Sequence, residues 1–353
     1  MQPFVYNGLP TRVVFGIGSL KMLPQEIEKL GAKRALVLST PEQKAAASEV
    51  AGALGARCAG SYDKAAMHVP VEIAEEARRV ARELGADCCV TVGGGSTTGL
   101  GKAIALTSSL PILAVPTTYA GSEMTPIYGI TEGGAKKTGR DARVLPKTVI
   151  YDPNLTLSLP PAMSAASGMN AIAHAVEAMY SQDANPITSL MAEEGIRALS
   201  KALRTVVADP RNLDARSDAL YGAWLCGVVL GVAGMALHHK LCHVLGGTFN
   251  LPHAETHSIV LPHAMAYNAP AIPDVMKKIA NAMGAADAPR GIWDLEKALG
   301  LPLRLADIGL READLETAAR AATAAPYWNP RAVEYGPVLA LLRDAYQGTR
   351  PRS

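Results

Sequence analysis

The sequence predicts two domains, an α/β domain with a mostly parallel sheet followed by an all-α domain. The first observation is length, because 353 residues exceed the roughly 100–200 residues of one typical domain. The second is that residues up to about 157 alternate short apolar runs with amphipathic stretches. The third is a change, after Pro160-Pro161, to long stretches rich in Ala, Leu and Met with helical periodicity. We therefore expect domains at 1–157 and 158–353.

The α/β prediction rests on strands that alternate with helices. Short runs of β-branched and other apolar residues are bounded by Gly, Pro or Ser, as is typical of strands, at 12–15, 35–38, 88–92, 112–115 and 148–151. Ahead of the third run, Ile73, Ala77, Val80 and Leu84 have the spacing of one helix face. Strands that alternate with helices predict a mostly parallel sheet covered on both faces.

The second half contains few strand-like alternations, and we expect helices separated by breaks at Asp209-Pro210 and Leu261-Pro262. Its apolar run at 223–237 is short for a membrane span, which needs about 20 residues, and it predicts a buried core helix. No flexible linker separates the halves. We therefore expect them to pack tightly, with a ligand site in the cleft between them.

Composition argues against a nucleic-acid or membrane partner. The formal net charge is +2, the basic residues are scattered, and aromatic residues make up 5%, whereas nucleic-acid binders carry basic stripes and stacking platforms. The five cysteines form no CxxC pair. Their odd number, and the absence of a basic segment followed by an apolar run at the N-terminus, lead us to expect a reducing, cytoplasmic location.

A glycine-rich turn predicts a phosphate site. Gly93-Gly94-Gly95-Ser96 follows a predicted strand and precedes a predicted helix at 99–105. Glycines let the backbone approach a ligand closely, and free N–H groups at a helix start bind phosphate. A tight turn without a ligand is the simpler alternative, but Pro116-Thr117-Thr118 and Gly121-Ser122-Glu123 follow the next strand and add hydroxyls at the same sheet edge. We expect nucleotide contacts from Gly93, Gly94, Gly95, Ser96, Thr117, Thr118, Ser122 and Ser39.

The sequence does not choose between NADH and NADPH. NAD-specific enzymes often carry a carboxylate after the second strand, which binds the ribose and repels a 2′-phosphate. Here that strand ends Leu38-Ser39-Thr40-Pro41, without an acidic residue. We therefore expect NADH or NADPH as the cofactor.

Histidines are concentrated in the helical half. Six of the eight lie between 238 and 263, which single structural histidines explain poorly. His239 and His243 share one helix face, as do Asn170 and His174. His253 follows Pro252, which predicts a loop. Two helices and a loop would thus bring these side chains to one centre. A transition metal would favour a carboxylate beside the imidazoles, whereas the alternative is that histidines bind and protonate an anionic substrate directly.

Over nearly its whole length the chain resembles the iron-containing alcohol dehydrogenase family, which shares its fold with dehydroquinate synthase. The resemblance is carried by Gly93-Gly94-Gly95-Ser96 with Lys102, by 116–123 and Tyr151-Asp152-Pro153, by the helical motif at 168–178, and by 239–247 with Pro252-His253. It implies a nicotinamide-dependent oxidoreductase that forms a homodimer. It places the family's metal ligands, one Asp and three His, at Asn170, His174, His239 and His253, and a further active-site histidine at His243.

The chain departs from the family pattern at two positions. Asn170 replaces the ligand aspartate, and Gly99 replaces the aspartate that follows the glycine-rich turn. With Ser96-Thr97-Thr98-Gly99 and Asn329-Pro330-Arg331, these departures resemble the branch that reduces the carbon–carbon double bond of maleylacetate to 3-oxoadipate in aromatic and chloroaromatic degradation. The resemblance implies a small dicarboxylate substrate. We expect that no metal is required, the four ligand positions being a vestige of a metal site.

Hydride addition to an enone produces an enolate, which needs a proton donor and a hydrogen-bond donor at the oxygen. We expect His243 as the acid, with His253 or His174 at the oxyanion or at a substrate carboxylate. Asn170, His239 and Arg331 are expected to bind substrate, and Arg331 is preferred over the other cations, Lys136, Lys137, Arg140 and Lys240. The alternatives are a metal-dependent alcohol or polyol dehydrogenase, a lyase similar to dehydroquinate synthase, and a nucleotide-binding sensor without chemistry.

Overall fold

The computed structural model describes residues 3–133 and 135–352 and separates them into two compact units. Residues 8–159 form an α/β unit, and residues 160–352, with 3–7, form a helical unit. The predicted boundary after residue 157 compares with an observed one after Leu159. Residues 1–2, at the start of the first predicted domain, and residue 353, at the end of the second, lie outside the described residues.

The α/β unit is built on a parallel sheet of six strands in the order β1-β8-β5-β4-β2-β3, beside a two-stranded antiparallel hairpin, β6-β7. The predicted parallel sheet is confirmed. The strands are β1 Arg12–Phe15, β2 Ala35–Leu38, β3 Cys58–Tyr62, β4 Cys88–Gly93, β5 Ile112–Pro116, β6 Ile127–Glu132, β7 Ala135–Arg140 and β8 Thr148–Tyr151.

Three of these strands were not predicted. β3 reads Cys-Ala-Gly-Ser-Tyr and has no β-branched residue, and a side chain at Gly60 would lie 2.7 Å from Leu84. Close packing therefore selects small residues there, which removes the usual strand signal. β6 and β7 pair along their whole length but lie largely at the surface, so they lack an alternating apolar face.

Helices cover both faces of the sheet, as predicted. Val37 and Val90 pack with helix residues Ile27 and Val50 on one face, whereas the alternate residue Leu36 packs with Ala77 on the other. This division follows from the two-residue period of a strand. The helices of this unit are α1 Leu23–Lys29, α2 Lys44–Leu54, α3 Val71–Glu83 and α4 Gly95–Ser108.

Among the described residues, the helical unit contains no strand, as predicted. Its helices are α5 Pro161–Met179, α6 Pro186–Ala208, α7 Leu213–Val232, α8 Leu237–Phe249, α9 His253–Asn268, α10 Pro273–Met283, α11 Ala288–Ala298, α12 Leu315–Thr323 and α13 Tyr335–Gln347. α5 is buried along most of its length and packs against α6, α7 and α9. Small residues permit this packing, because a side chain added at Gly168 would lie 2.6 Å from Leu203.

The predicted helix limits need three corrections. Leu261-Pro262 is not a break, because Pro262 lies inside α9, where tertiary packing overrides the local preference. The run at 223–237 is not one helix, because α7 ends at Val232 and α8 begins at Leu237. In addition, α4 begins at Gly95, four residues before the predicted start.

No single helix in the described part of the chain is long and apolar enough to span a membrane. α7 and α8 reach that length and composition only together, and they are bent by 94°.

Candidate functional site

The glycine-rich turn joins the end of β4 to the start of α4. Gly93 has a φ of +151°, and a side chain there would lie 2.2 Å from Oε1 of Gln43. Gly94 is the N-cap of α4 and makes no side-chain hydrogen bond, so the first N–H groups of α4 have no capping side chain. Gly95 is exposed, and a Cβ there would meet nothing nearer than Ala120 at 3.9 Å. The turn thus directs backbone donors into open space.

The predicted second loop lies directly beside this turn. Gly93 pairs with Pro116 in the sheet, and the N–H of Thr117 donates to the carbonyl of Gly93 over 3.1 Å. Ser39 follows β2, which pairs with β4 on the other side, and its N–H is bonded to the carbonyl of Tyr62. The structure therefore brings the predicted cofactor residues of three loops to the carboxyl edge of one parallel sheet.

Two polar side chains at this edge were missed by the sequence analysis. Gln43, which follows β2, donates from Nε2 to Oγ1 of Thr117, and its Oε1 is buried without a partner. Thr97 is fully buried in the first turn of α4, and its hydroxyl also lacks a partner. Thr97 belongs to the motif Ser96-Thr97-Thr98-Gly99, which follows the glycine-rich turn. No sequence pattern around Gln43 indicates a binding role, because only the pairing of the strands brings Gln43 close to Thr117.

Behind the second loop, Lys102 is fully buried. Its ammonium donates to the carbonyls of Ser122 and Ile127, both over 2.7 Å, and to Oγ1 of Thr125 over 2.9 Å. Burial lowers the pKa of Lys102 to about 7. The Ser122 hydroxyl also lies 3.2 Å from this ammonium. Ser122, a predicted cofactor residue, thus belongs to the internal support of the loop.

In the helical unit, the predicted histidines come together from three helices. α5 contributes His174, α8 contributes His239 and His243, and α9 contributes His253. The ring centroids of His174 and His239 lie 5.3 Å apart, and those of His239 and His243 lie 6.2 Å apart. The loop predicted for His253 is wrong, because Pro252 is the N-cap of α9 and His253 its first residue. Proline ends a preceding helix but is also compatible with the start of the next.

Burial divides this cluster into two layers. Asn170 and His174 are about 5% exposed, and so is His239, whereas His243 and His253 are exposed. Burial, and then the neighbouring histidines, lower the pKa of His174 and of His239 well below the ordinary value. The buried layer is therefore neutral near pH 7, and the exposed layer can exchange protons with water.

The buried layer carries polar atoms without hydrogen-bond partners. They are Oδ1 of Asn170, Nδ1 of His174 and Nε2 of His239. Buried polar atoms in folded proteins almost always have partners. Three unpartnered atoms on adjacent helices are therefore typical of a site that receives a ligand.

Glu177 holds this layer in place, although the sequence analysis gave it no role. Its fully buried carboxylate accepts hydrogen bonds from the backbone N–H groups of Ala236 and His238, both over 2.8 Å. Its Oε2 also lies 2.8 Å from Nδ1 of His239. One feature of the sequence could have indicated a role for Glu177: its carboxylate comes three residues after His174, in an otherwise apolar stretch of α5.

The tightest cluster of possible metal-ligand atoms includes only one of the family's ligand positions, His239. Among the described residues, His238, His239 and His257 place ring nitrogens within 4.8 Å of one another. Nε2 of His238 is 2.8 Å from the carbonyl of His257, and Nδ1 of His239 faces Glu177. Three of the six ring nitrogens in this group thus have protein partners, whereas Nε2 of His239 and both nitrogens of His257 have none.

Arg331 lies at the opposite end of α9 from His253. Its guanidinium donates to the carbonyl of Tyr267 over 2.9 Å and stacks on that ring at 4.3 Å. Tyr267 lies near the C-terminal end of α9, and His253 is its first residue, so about 20 Å of helix separates them. Of the other cations, Lys137 pairs with Glu132 in the hairpin, and Lys240 lies 5.9 Å from the Tyr327 ring.

The comparisons with known proteins agree with both units. Residues 10–153 match the model for iron-containing alcohol dehydrogenase, and residues 164–346 match the model for the C-terminal part of that family. The chain belongs to the iron-containing alcohol dehydrogenase family, and the predicted family and fold are confirmed.

Relatives within that family are more specific. The chain is 60% identical to the maleylacetate reductase of Burkholderia cepacia, over 99% of this chain and 100% of that protein. Two solved structures of maleylacetate reductases are similar throughout. That from Agrobacterium tumefaciens has a TM-score of 0.96 at 53% identity, and that from Rhizobium sp. strain MTP-10005 has a TM-score of 0.96 at 54% identity. Each alignment covers 99% of this chain and 100% of the other.

Proposed function

We propose that this chain reduces the carbon–carbon double bond of maleylacetate to give 3-oxoadipate, with NADH or NADPH as the hydride source. The observation that carries the proposal is the 60% identity, over the full length, to a maleylacetate reductase. The geometry supports it, because neutral and proton-exchanging histidines meet beside the amide of Asn170 rather than a carboxylate.

The sheet edge of the α/β unit fits a dinucleotide. The N–H groups at the start of α4 would hold the pyrophosphate, and the hydroxyls of Thr97 and Thr118 and the amide of Gln43 would hold phosphate or ribose oxygens. When bound, the reduced nicotinamide supplies a hydride to the substrate carbon β to the ketone. The open space in front of Gly95 is what such close backbone contact requires.

The histidines complete the reduction. As the hydride arrives, charge develops on the ketone oxygen, and His174 or His253 donates a hydrogen bond to it. His243 transfers its proton to the carbon α to the ketone, which closes the new C–H bond and discharges the enolate. Because His243 is exposed, water can return the proton. One hydride and one proton are consumed for each double bond reduced.

We propose that this reaction does not require a metal. At the family's ligand positions the anionic group is replaced by Asn170, which is neutral. The buried atoms that lack partners at these positions, Nδ1 of His174, Nε2 of His239 and Oδ1 of Asn170, belong to uncharged groups. An uncharged set of ligands lacks the Coulomb attraction that a carboxylate adds for a divalent ion, and a neutral amide also avoids repulsion with substrate carboxylates.

The test is anaerobic oxidation of NADH by maleylacetate, with and without EDTA, beside elemental analysis of the purified protein. We expect turnover that EDTA leaves unchanged, and none with simple alcohols or polyols. No loss of nicotinamide absorbance with maleylacetate would refute the assigned substrate. Activity abolished by EDTA and restored by Fe²⁺ or Zn²⁺ would instead favour a metal-dependent dehydrogenase.

The setting proposed for this activity is bacterial degradation of aromatic compounds, in the cytoplasm and as a homodimer. The five cysteines are all free, which supports a reducing compartment. The family resemblance supports the dimer. Sedimentation of the purified protein at micromolar concentration tests the dimer, because a monomeric species would refute it.

A further inference from the structure

We infer that Glu177 is a positioning residue for the reaction, which fixes the tautomer of His239 and the start of α8. The inference rests on the proposed function for its catalytic consequence, but its structural core is independent of the substrate.

The neighbours of His239 define where its proton lies. Nε2 of His238 is 2.8 Å from the carbonyl of His257, and a carbonyl accepts only, so His238 carries its proton on Nε2. Nδ1 of His238 is therefore an acceptor, and it lies 3.3 Å from Nδ1 of His239. Oε2 of Glu177, a second acceptor, lies 2.8 Å from the same atom. Two acceptors facing one nitrogen place the His239 proton on Nδ1.

This tautomer leaves a lone pair on Nε2 of His239, the buried atom without a partner. A bare ring nitrogen accepts a hydrogen bond and repels a carboxylate, whereas the exposed histidines can donate. Glu177 therefore determines that His239 accepts in the buried layer, opposite the donors of the exposed layer. A substrate with two carboxylates is orientated by that difference.

The second function of Glu177 concerns the backbone. α8 has Ala236 at its N-cap, without a capping side chain. Oε1 of Glu177 accepts from the N–H of His238 over 2.8 Å, and Oε2 accepts from the N–H of Ala236 over 2.8 Å. Every one of these partners is a donor. An amide at position 177 would turn its NH₂ group against one of the two N–H groups in either orientation.

The experiment compares Glu177→Gln, which keeps the shape, with Glu177→Asp, which keeps the acceptor-only carboxylate on a shorter stem. The matched control is Glu296→Gln, since Glu296 is fully buried and both its oxygens lack partners. The primary readout is the ring ¹⁵N spectrum of His239 in protein labelled with ¹⁵N-histidine at pH 8, assigned by its loss in His239→Gln. Steady-state kinetics with maleylacetate and NADH give the second readout.

We expect the Nδ1–H pattern in the wild type and in Glu177→Asp, and a shift toward the Nε2–H pattern in Glu177→Gln. Glu177→Gln should lose about 10–100-fold in kcat/KM, the range seen when the hydrogen-bond partner of a metal-ligating histidine is removed. Glu177→Asp should retain more activity than Glu177→Gln, and Glu296→Gln should match the wild type. If Glu177 only fills space, Glu177→Gln should instead be more active than Glu177→Asp, because glutamine keeps the shape of the side chain.

An Nε2–H pattern in the wild type, or an unchanged pattern in Glu177→Gln, would overturn the inference. So would a Glu177→Gln enzyme at least as active as Glu177→Asp. If the wild type does not turn over maleylacetate, the proposed function fails, and the ¹⁵N pattern still decides the role of Glu177.

Discussion

Gly95→Ala separates the folding role of the glycine-rich turn from its binding role. A Cβ at Gly95 meets nothing nearer than 3.9 Å, and Gly95 is the first residue of α4. Alanine favours a helix over glycine by up to about 1 kcal/mol, so the apo protein should be as stable as the wild type or slightly more so. A phosphate held against the same backbone would meet the new methyl group. Such overpacking costs about 1–3 kcal/mol, which weakens NADH binding roughly 5- to 150-fold.

The assay is a fluorescence titration with NADH beside thermal unfolding of the apo protein. Gly93→Ala is the comparison, because its Cβ would lie 2.2 Å from Gln43 at a φ of +151°, and it should lower stability before any ligand is added. Wild-type affinity for NADH in a well-folded Gly95→Ala protein would refute the phosphate site.

Three further predictions concern other parts of the molecule. Asn170→Asp should lower kcat/KM for maleylacetate, because the new carboxylate would repel a substrate carboxylate. At a separation of about 5 Å and an effective dielectric of 20 the repulsion is about 3 kcal/mol, which corresponds to a roughly 100-fold loss. Steady-state kinetics measure this loss. Burial lowers the pKa of His263 to about 4. As pH falls, the unfolded chain therefore binds a proton at this histidine before the folded protein does. The free energy of unfolding should fall on the order of 3 kcal/mol between pH 6.5 and pH 4. His263→Phe should reduce that loss in urea unfolding. Gly99→Asp should lower the melting temperature, because its Cβ would lie 2.7 Å from Val69.

Each of these has a clear contrary result. Unchanged or improved maleylacetate kinetics in Asn170→Asp would remove the argument from charge repulsion. Equal acid sensitivity of His263→Phe and the wild type would place the loss at other groups. If Gly99→Asp melts like the wild type, Val69 moves aside without strain, and the double variant Gly99→Asp/Val69→Gly should then gain nothing over the single one.

The sequence predicted the parallel sheet and the helical unit well, because their signals are local. The β-branched runs at β2 and β5 and the periodicity of α3 survive in a single sequence. β3 is different, since its small residues follow from packing against Leu84, a contact that no local pattern contains. The hairpin β6-β7 lacks a buried face, so no alternation of apolar residues indicates it. Pro262 is buried inside α9 and stays helical because neighbouring helices enclose it.

The site was predictable where residues repeat at helical spacing, as His239 and His243 do. Roles that depend on distant partners were not predictable. Gln43 acquires its place from Thr117, and Glu177 acquires its place from α8. For Arg331 an unusual sequence context predicts a binding role, which stays a prediction, and in the structure its guanidinium stacks on Tyr267.

The carboxylate of Glu177 also has a consequence for how this protein folds. It stands 61 residues before His238, whose N–H it accepts, and α8 has no cap of its own. Helix initiation is the unfavourable step of helix formation, so a nascent α8 should fray until α5 is in place. Folding intermediates without a docked α5 would therefore lack the histidine cluster. Amide protons at 236–239 should then exchange with solvent only through unfolding of the helical unit as a whole.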